Sequence, residues 1–384
     1  MAYSEFMRLA MRLAKNGYGA TSPNPMVGAV LVKRGKIIGR GWHHRAGLPH
    51  GEIEALRDAA RRGENPQGAT LYVTLEPCST HGRTPPCCDA IKAAGIQRVI
   101  VGTLDPNPKH SGAGLQILKR AGIDVTNVGA KECRDLNESF NHWIVHRTPF
   151  VIVKAGMTLD GKIATASGES RWISSEASRD FAMNLRRGAD AILVGINTVL
   201  LDDPRLTVRG KNVEHSTTNI QQPTSNNQHP KELRRIVLDS RARTPLRAKI
   251  VSDEFAGLTT VVVGRSAPKK RVATLAKRVN VLVAPERGGK IELPWLLKKL
   301  GQENVTSLLV EGGGEVNAAF LAAGLAQRVA FFYAPKVLGG RDARKGVAGD
   351  GAGRASEIIE LKDLEWRKIG PDLFMTARVK QASR

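Results

Sequence analysis

The chain has no run of apolar residues approaching the roughly 18 that a membrane-crossing helix needs, so no transmembrane span is expected. Met1 to Asn16 mixes charged and apolar side chains at helical spacing, without the single apolar block of a signal peptide, and a cytoplasmic address follows as an expectation. Acidic residues are scarce, 36 against 58 lysines and arginines, and the formal net charge is +22. Such an excess attracts polyanions through long-range field and counterion release. It is spread evenly, however: residues 1–148 carry 20 basic against 12 acidic residues, and the remainder carries 38 against 24. No basic tail or arginine-rich block stands out, which favours pockets for phosphorylated small molecules over a nucleic-acid platform. Cysteine is nearly missing too. The four present, Cys78, Cys87, Cys88 and Cys133, are too few and too clustered for a disulfide framework. Three of them lie near His50 and His81 in sequence, which is metal spacing, whereas Cys133 reads as a small core residue.

What is present fits two domains. At 384 residues and 41% hydrophobic content, the chain is too long for one ordinary core and can bury two. An amphipathic helix over 1–16, with Phe6, Leu9, Ala10 and Leu13 on one side, precedes an apparent hairpin: a strand from Val27 to Val32, a turn at Arg34-Gly35, and a strand running to Trp42. Two helix-then-strand units follow, Glu52–Arg61 with Thr70–Thr74 and Cys87–Ala94 with Arg98–Gly102, predicting an α/β sandwich around a central sheet. The boundary is expected at Arg147-Thr148-Pro149, dividing the chain into 1–147 and 148–384. Beyond it, strands are expected at 150–155, 190–195, 235–239, 259–263, 280–283, 305–311 and 328–333, which predicts a second, largely parallel sheet. The polar stretch 210–231 reads as an exposed loop insertion with too little apolar content for a core.

The strongest chemical signal is Pro49-His50-Gly51-Glu52, then Glu76-Pro77-Cys78, then Cys87 after eight further residues. His50, Cys78 and Cys87 offer one imidazole and two thiolates. Zinc takes nitrogen and sulfur ligands at four-coordinate geometry, so three protein ligands leave a place for water, as in a catalytic site. The metal's charge lowers that water's pKa towards neutrality. Glu52 is then placed to carry a proton from water to a departing amine. Both ligand segments open predicted helices, whose positive ends favour an anionic ligand set. The general zinc-deaminase signature has the glutamate outside the ligand set, and its two cysteines stand two residues apart, not eight. The plainer alternatives are a closed structural zinc site that also uses Cys88, or simply buried cysteines. Adjacent cysteines suit one tetrahedral ion poorly, and a structural site has no use for Glu52.

The run from Leu75 to Cys88, and Pro23-Asn24-Pro25 through Val27-Gly28, resemble the deaminase half of the bifunctional riboflavin-biosynthesis enzymes. The resemblance implies a cytidine-deaminase-like α/β/α sandwich acting on a diamino-pyrimidinone that carries a ribosylamino phosphate. It also implies Asn24 and His43 as pocket residues, with His81 and Arg83 holding the base and phosphate; imidazole and guanidinium donors suit a dianion. That family usually has alanine where this chain has Gly51, a change expected to loosen the helix start by up to about 1 kcal/mol and to spare activity.

Val153 to Lys162, Ser167 to Ile173, Gly195, Thr198 and Asp202 to Thr207 resemble the reductase half of the same family, which implies a dihydrofolate-reductase-like α/β domain using NADPH. Val310-Glu311-Gly312-Gly313-Gly314-Glu315 places a glycine turn between a strand and a helix. Such a turn lets a pyrophosphate approach backbone N–H donors, although it is not the G-x-G-x-x-G fingerprint. By resemblance, Gly156, Trp172, Thr198, Asp202, Ser240, Gly313 and Gly314 would contact cofactor. Lys154, Ser170, Arg186, Leu206, Arg209 and Glu311 would face substrate, Lys154 as an electrostatic contact. Arg186 and Arg209 would otherwise read as solvated surface residues. Arg241 and Arg243 could meet a cofactor 2′-phosphate. The expected chemistry is hydride transfer to the ribosyl C1′, with no covalent nucleophile. The family implies a homo-oligomer, dimer or tetramer. Two rival readings remain at this point: a nucleic-acid base deaminase with a C-terminal binding domain, and a zinc-stabilised scaffold.

Overall fold

The computed structural model describes residues 4–81, 85–108, 110–209 and 232–381. The expected loop at 210–231 lies outside them. The chain divides into two compact units, Met1–Thr148 and Pro149–Arg384.

In the first unit the order is α1 (Glu5–Lys15), β1 (Gly28–Lys33), β2 (Lys36–Trp42), α2 (Gly51–Arg61), β3 (Thr70–Val73), α3 (Cys87–Ala93), β4 (Arg98–Val101), α4 (Ala113–Arg120), β5 (Asp124–Asn127), α5 (Lys131–Asp135) and α6 (Glu138–His146). The strands form one sheet, β2-β1-β3-β4-β5. β1 is antiparallel to both of its neighbours, and β3, β4 and β5 run parallel. Alternation along β1 builds three layers. Ala29 and Leu31 face a core completed by Ala55 and Ala59 of α2, Ile91 of α3 and Leu118 of α4. Val30 and Val32 face Met7, Ala10 and Leu13 of α1, with Cys133 of α5. Ser4 caps α1 by accepting from Met7 N. The sequence reading omitted α4, β5 and α5, and had α6 only as a helix-like stretch that ends at the expected boundary.

The second unit runs β6 (Phe150–Thr158), β7 (Lys162–Ala164), α7 (Glu176–Gly188), β8 (Ala191–Gly195), α8 (Ile196–Asp202), β9 (Arg234–Leu238), α9 (Lys249–Ser252), β10 (Thr259–Gly264), α10 (Lys269–Ala276), β11 (Asn280–Ala284), β12 (Glu286–Arg287), β13 (Lys290–Ile291), α11 (Leu293–Gln302), β14 (Ser307–Val310), α12 (Gly314–Ala322), β15 (Arg328–Ala334), β16 (Arg344–Lys345), β17 (Leu361–Ile369) and β18 (Asp372–Val379). Its main sheet has the order β11-β10-β9-β8-β14-β6-β15-β18-β17. The run from β11 to β15 is parallel, and β18 and β17 extend it antiparallel. Strands buried on both faces read as continuous apolar runs. Val153, Leu193, Leu308 and Val310 pack with Leu296, Leu300 and Phe320, while Ile192, Val194, Val237 and Val261 pack with Ile250 and Leu275. The carboxyl ends of β6, β8 and β14 therefore open together, the usual ligand-binding edge of such sheets. No helix among the described residues is long and apolar enough to cross a membrane.

Candidate active sites

In the first unit, His50 stands at the N-cap of α2, Glu52 lies in its first turn, and Cys87 opens α3. Cys78 arrives on the irregular segment after β3. Ligand atoms of His50, Cys78 and Cys87 all lie within 4.8 Å of one another. The His50 Nδ1 is 3.5 Å from Cys78 Sγ and 3.3 Å from Cys87 Sγ, and Cys87 N donates to Cys78 Sγ at 3.2 Å. The segment carrying Cys78 is pinned by Glu76, whose buried carboxylate accepts from Asp105 N, Gly112 N and Gly114 N at 3.1, 2.9 and 2.9 Å. Cys88 points away into the core, 3.5 Å from the Pro77 carbonyl, and stays out of this cluster. The closed four-ligand alternative therefore fails.

Charge is unevenly distributed here. The hydrogen bond between the two sulfurs lowers the Cys78 thiol to about 4, while the same contact and burial push the Cys87 thiol up. The hydrogen bond to Cys78 raises His50. A divalent cation among these atoms would take both sulfurs as thiolates, and the nitrogen-and-sulfur donor set is the one zinc prefers. Glu52 is 2% exposed; burial raises its carboxyl to about 7, and its Oε2 has no hydrogen-bond partner. An orphaned buried carboxylate oxygen beside three metal-ligand atoms fits a reacting water or amine there, since such groups are otherwise costly.

Asn24 and His43 come together on the same side. The His43 Nδ1 is 3.0 Å from the Pro49 carbonyl, which can only accept, so Nδ1 carries the proton and Nε2 accepts from Asn24 Nδ2 at 3.2 Å. Burial lowers His43, keeping the ring neutral, and its ring meets that of His50 edge-on at 5.2 Å. His81 is exposed. Arg83 lies outside the described residues.

Gly51 is more than a loosened helix start. A Cβ there would sit 2.7 Å from the Val27 carbonyl oxygen, and a Cβ on Gly41 of β2 would collide with backbone of α2 at Gly51 and Ala55. The helix bearing Glu52 is pressed against the sheet at these glycines.

In the second unit, a cavity of about 290 Å³ is lined by Lys154, Gly156, Ser170, Trp172, Arg186 and Arg209, with Glu311 at its base. Arg186 is 9% exposed, which removes the solvated-surface reading. Its Nε and Nη2 donate to the two Glu311 oxygens at 2.8 and 3.0 Å, its Nη1 donates to Thr207 O at 2.9 Å, and Lys154 Nζ lies 3.6 Å from Glu311. Burial alone would raise Glu311, but Arg186 and Lys154 outweigh it and hold the carboxyl at about 2. Trp172 and Arg209 also border a second cavity of about 350 Å³ with Asp202, Arg205 and Lys249.

The remaining expected residues are dispersed. Thr198 is half-buried on α8, Ser240 follows β9, and Gly313 and Gly314 begin α12; none of these four lines either cavity. Above Gly313 the space is open, so its backbone is approachable. Leu206 needs correcting as a substrate-facing side chain. Its backbone is left-handed at φ 53°, and the side chain is 3% exposed in the core with Val199 and Leu233, leaving only main chain for the site. Sequence reasoning missed Phe332, Ser174 and Arg179 in the first cavity; the Arg179 guanidinium lies 4.3 Å from the Trp172 ring centre.

Comparison with known proteins bears on both units. Residues 1–103 match the cytidine and deoxycytidylate deaminase zinc-binding region, and residues 149–375 match the RibD C-terminal domain. The riboflavin biosynthesis protein RibD of Aquifex aeolicus is 44% identical over 373 residues, covering 96% of each chain. RibD of Escherichia coli (strain K12) is 42% identical, covering 96% of this chain and 97% of its own. The solved Acinetobacter baumannii RibD superposes with a TM-score of 0.83 at 35% identity over 98% of both chains. A Thermotoga maritima diaminohydroxyphosphoribosylaminopyrimidine deaminase/5-amino-6-(5-phosphoribosylamino)uracil reductase superposes with a TM-score of 0.77 at 33% identity, again over 98% of both.

Proposed function

Because the chain belongs to the RibD family of riboflavin-biosynthesis proteins, with a deaminase unit and a reductase unit, we propose that it performs two consecutive reactions on one phosphorylated pyrimidine. The first is hydrolytic deamination of 2,5-diamino-6-ribosylamino-pyrimidinone 5′-phosphate, and the second is reduction of its ribosyl group to ribityl with NADPH.

One zinc ion held by His50, Cys78 and Cys87 supplies a Lewis acid that brings the pKa of water to about 7. Glu52 stands outside the ligand set and moves protons: it accepts one as water adds to the ring carbon and delivers it to the amine that leaves as ammonia. Asn24 and His43 orient the base, and His81 and Arg83 meet the base and phosphate. The residues of the second unit would hold NADPH, which when bound would supply the hydride for C1′, while the bond from C1′ to the ring oxygen breaks and that oxygen takes a proton from solvent as the sugar opens. Glu311, fixed by Arg186 and Lys154, forms the floor of the substrate cavity; Ser170 and the exposed Arg209 serve the sugar phosphate. Gly156, Trp172, Thr198, Asp202 and Ser240 hold the cofactor, with the turn at Gly313 and Gly314, where the space above Gly313 is open, receiving its phosphates. Arg241 and Arg243 favour NADPH over NADH. The reaction needs neither nucleic acid nor membrane and suits the cytoplasm. An edge strand β17 with Leu364 50% and Trp366 54% exposed favours a homo-oligomer, which sedimentation of the purified protein would reveal as a mass above one chain.

The observation that carries this reading is the convergence of three zinc-type ligand atoms beside the orphaned Glu52 oxygen. The test is a coupled assay with the diamino substrate. Ammonia release should require zinc, NADPH oxidation should follow only after deamination, and added chelator should stop both, with NADPH oxidation alone restored when deaminated intermediate is supplied. Deamination of polynucleotides, with no NADPH oxidation under any condition, would establish the nucleic-acid base deaminase instead.

A further inference from the structure

Asn137 occupies the N-cap of α6, where asparagine side chains ordinarily accept from the helix's first N–H groups. Here the side chain makes no cap. Its Oδ1 accepts from Met26 N at 2.8 Å and its Nδ2 donates to Met26 O at 2.9 Å, so both backbone groups of one residue are paired with one amide across 111 positions of sequence. Asn137 is 5% exposed, so its amide would not find water as a ready substitute for Met26. Met26 belongs to the irregular stretch before β1 that carries Asn24, whose amide reaches His43 Nε2 at 3.2 Å. The next residue, Val27, accepts from His43 N at 2.8 Å. His43 in turn reaches the carbonyl of Pro49, the neighbour of His50. A continuous set of contacts therefore runs from Asn137 to the wall of the zinc-ligand cluster. Asn137 also lies beyond residues 1–103, the part matched by the deaminase zinc-binding region.

We propose that Asn137 is a positioning residue for deamination: its amide fixes the Ser22–Met26 segment and thereby holds Asn24 against His43 at the pyrimidine pocket. This rests on the reading of the first unit as a pyrimidine deaminase. Asn137 touches no reacting atom. Its effect is on alignment, and a displacement of order 1 Å at a reacting group costs about 100-fold in rate.

The experiment uses the full-length, zinc-loaded protein with Asn137→Ala and Asn137→Asp. The aspartate is isosteric, so a loss in that variant does not come from an empty cavity; it keeps an acceptor for Met26 N–H but sets a second acceptor against the Met26 carbonyl. Bound zinc, kcat and KM for ammonia release, and NADPH oxidation on supplied deaminated substrate are measured for each. Both variants should keep one zinc per chain and wild-type NADPH oxidation, while kcat/KM for deamination falls about 100-fold, shared between a KM raised about tenfold and a kcat lowered about tenfold. A lowered melting temperature with unchanged kcat and KM in both variants overturns the proposal, as does loss of zinc in step with activity. Zinc-loaded wild type that releases no ammonia is a separate result: it overturns the deaminase reading, and the proposal with it.

Discussion

The two sites solve different problems with different amounts of protein. In the first unit, three ligand atoms within 4.8 Å and one buried carboxylate suffice, drawn from the start of α2, the segment after β3 and the start of α3. In the second, a cavity of about 290 Å³ collects side chains from β6, β7, α7, β15 and the loops between elements, with Glu311 just past β14. A metal concentrates the chemistry at one point, so its ligands must converge there and are buried together. A nicotinamide brings its own reacting atom, and the protein's task becomes orientation and charge over a larger surface. The first site should therefore fail at single atoms, and the second through loss of its charged framework.

The largest effect expected from one atom exchange is at Glu52. Glu52→Gln keeps shape and removes the proton carrier; ammonia release should fall by about 10²- to 10⁴-fold, with bound zinc and the reduction of supplied intermediate unchanged. Loss of zinc along with activity would make Glu52 a ligand and erase the distinction between the metal's work and the carboxylate's. In the second unit the matching change is Glu311→Gln, which leaves Arg186 and Lys154 facing a neutral partner. Breaking a buried pair from one side costs about 3–5 kcal/mol, so both folding stability and NADPH oxidation should drop while ammonia release persists. The pH dependence follows from the sign of the shift. Glu311 is held at about 2 against an ordinary 4.5, so its contribution is present in full above about pH 4.5 and is lost as pH falls towards 2. The stability gap between wild type and Glu311→Gln should narrow over that window in denaturant titrations. A gap that stays constant would show that the ion pair is not what the substitution removes.

The same contrast explains what could be read without coordinates. His50, Cys78, Cys87 and Glu52 were legible because short motifs at fixed spacing carry them, and the helix starts that present them follow from local pattern. The parallel strands were legible as apolar runs. Strand β17 was not: its residues, Leu361–Ile369, are mostly exposed and charged, and it is held by pairing with β18, not by its own pattern. Asn137 was invisible because its partner is 111 residues away. Leu206 shows the limit of carrying a role by motif, since a left-handed backbone turned the side chain into the core. The Arg186–Glu311 pairing was hidden for a related reason: each residue was marked for substrate, and only the fold shows that they bind one another.

Gly51 gives the smallest effect and the most direct check on how tightly the metal site is built. Helix propensity alone predicts that alanine here is stabilising, because glycine pays more backbone entropy. The packing predicts the opposite. The position is buried, a Cβ would lie 2.7 Å from the Val27 carbonyl oxygen, and that oxygen already accepts from His43 N at 2.8 Å, so it cannot retreat without disturbing the pocket wall. The helix start must move instead, and His50 and Glu52 move with it. Gly51→Ala should therefore lower stability by about 1–3 kcal/mol, the range for overpacking a close-packed site, and weaken zinc retention against a competing chelator. The reductase unit should be unaffected. A variant that melts higher and holds zinc as tightly as wild type would mean that the strand end yields easily, and that the first site is no more rigidly framed than the second.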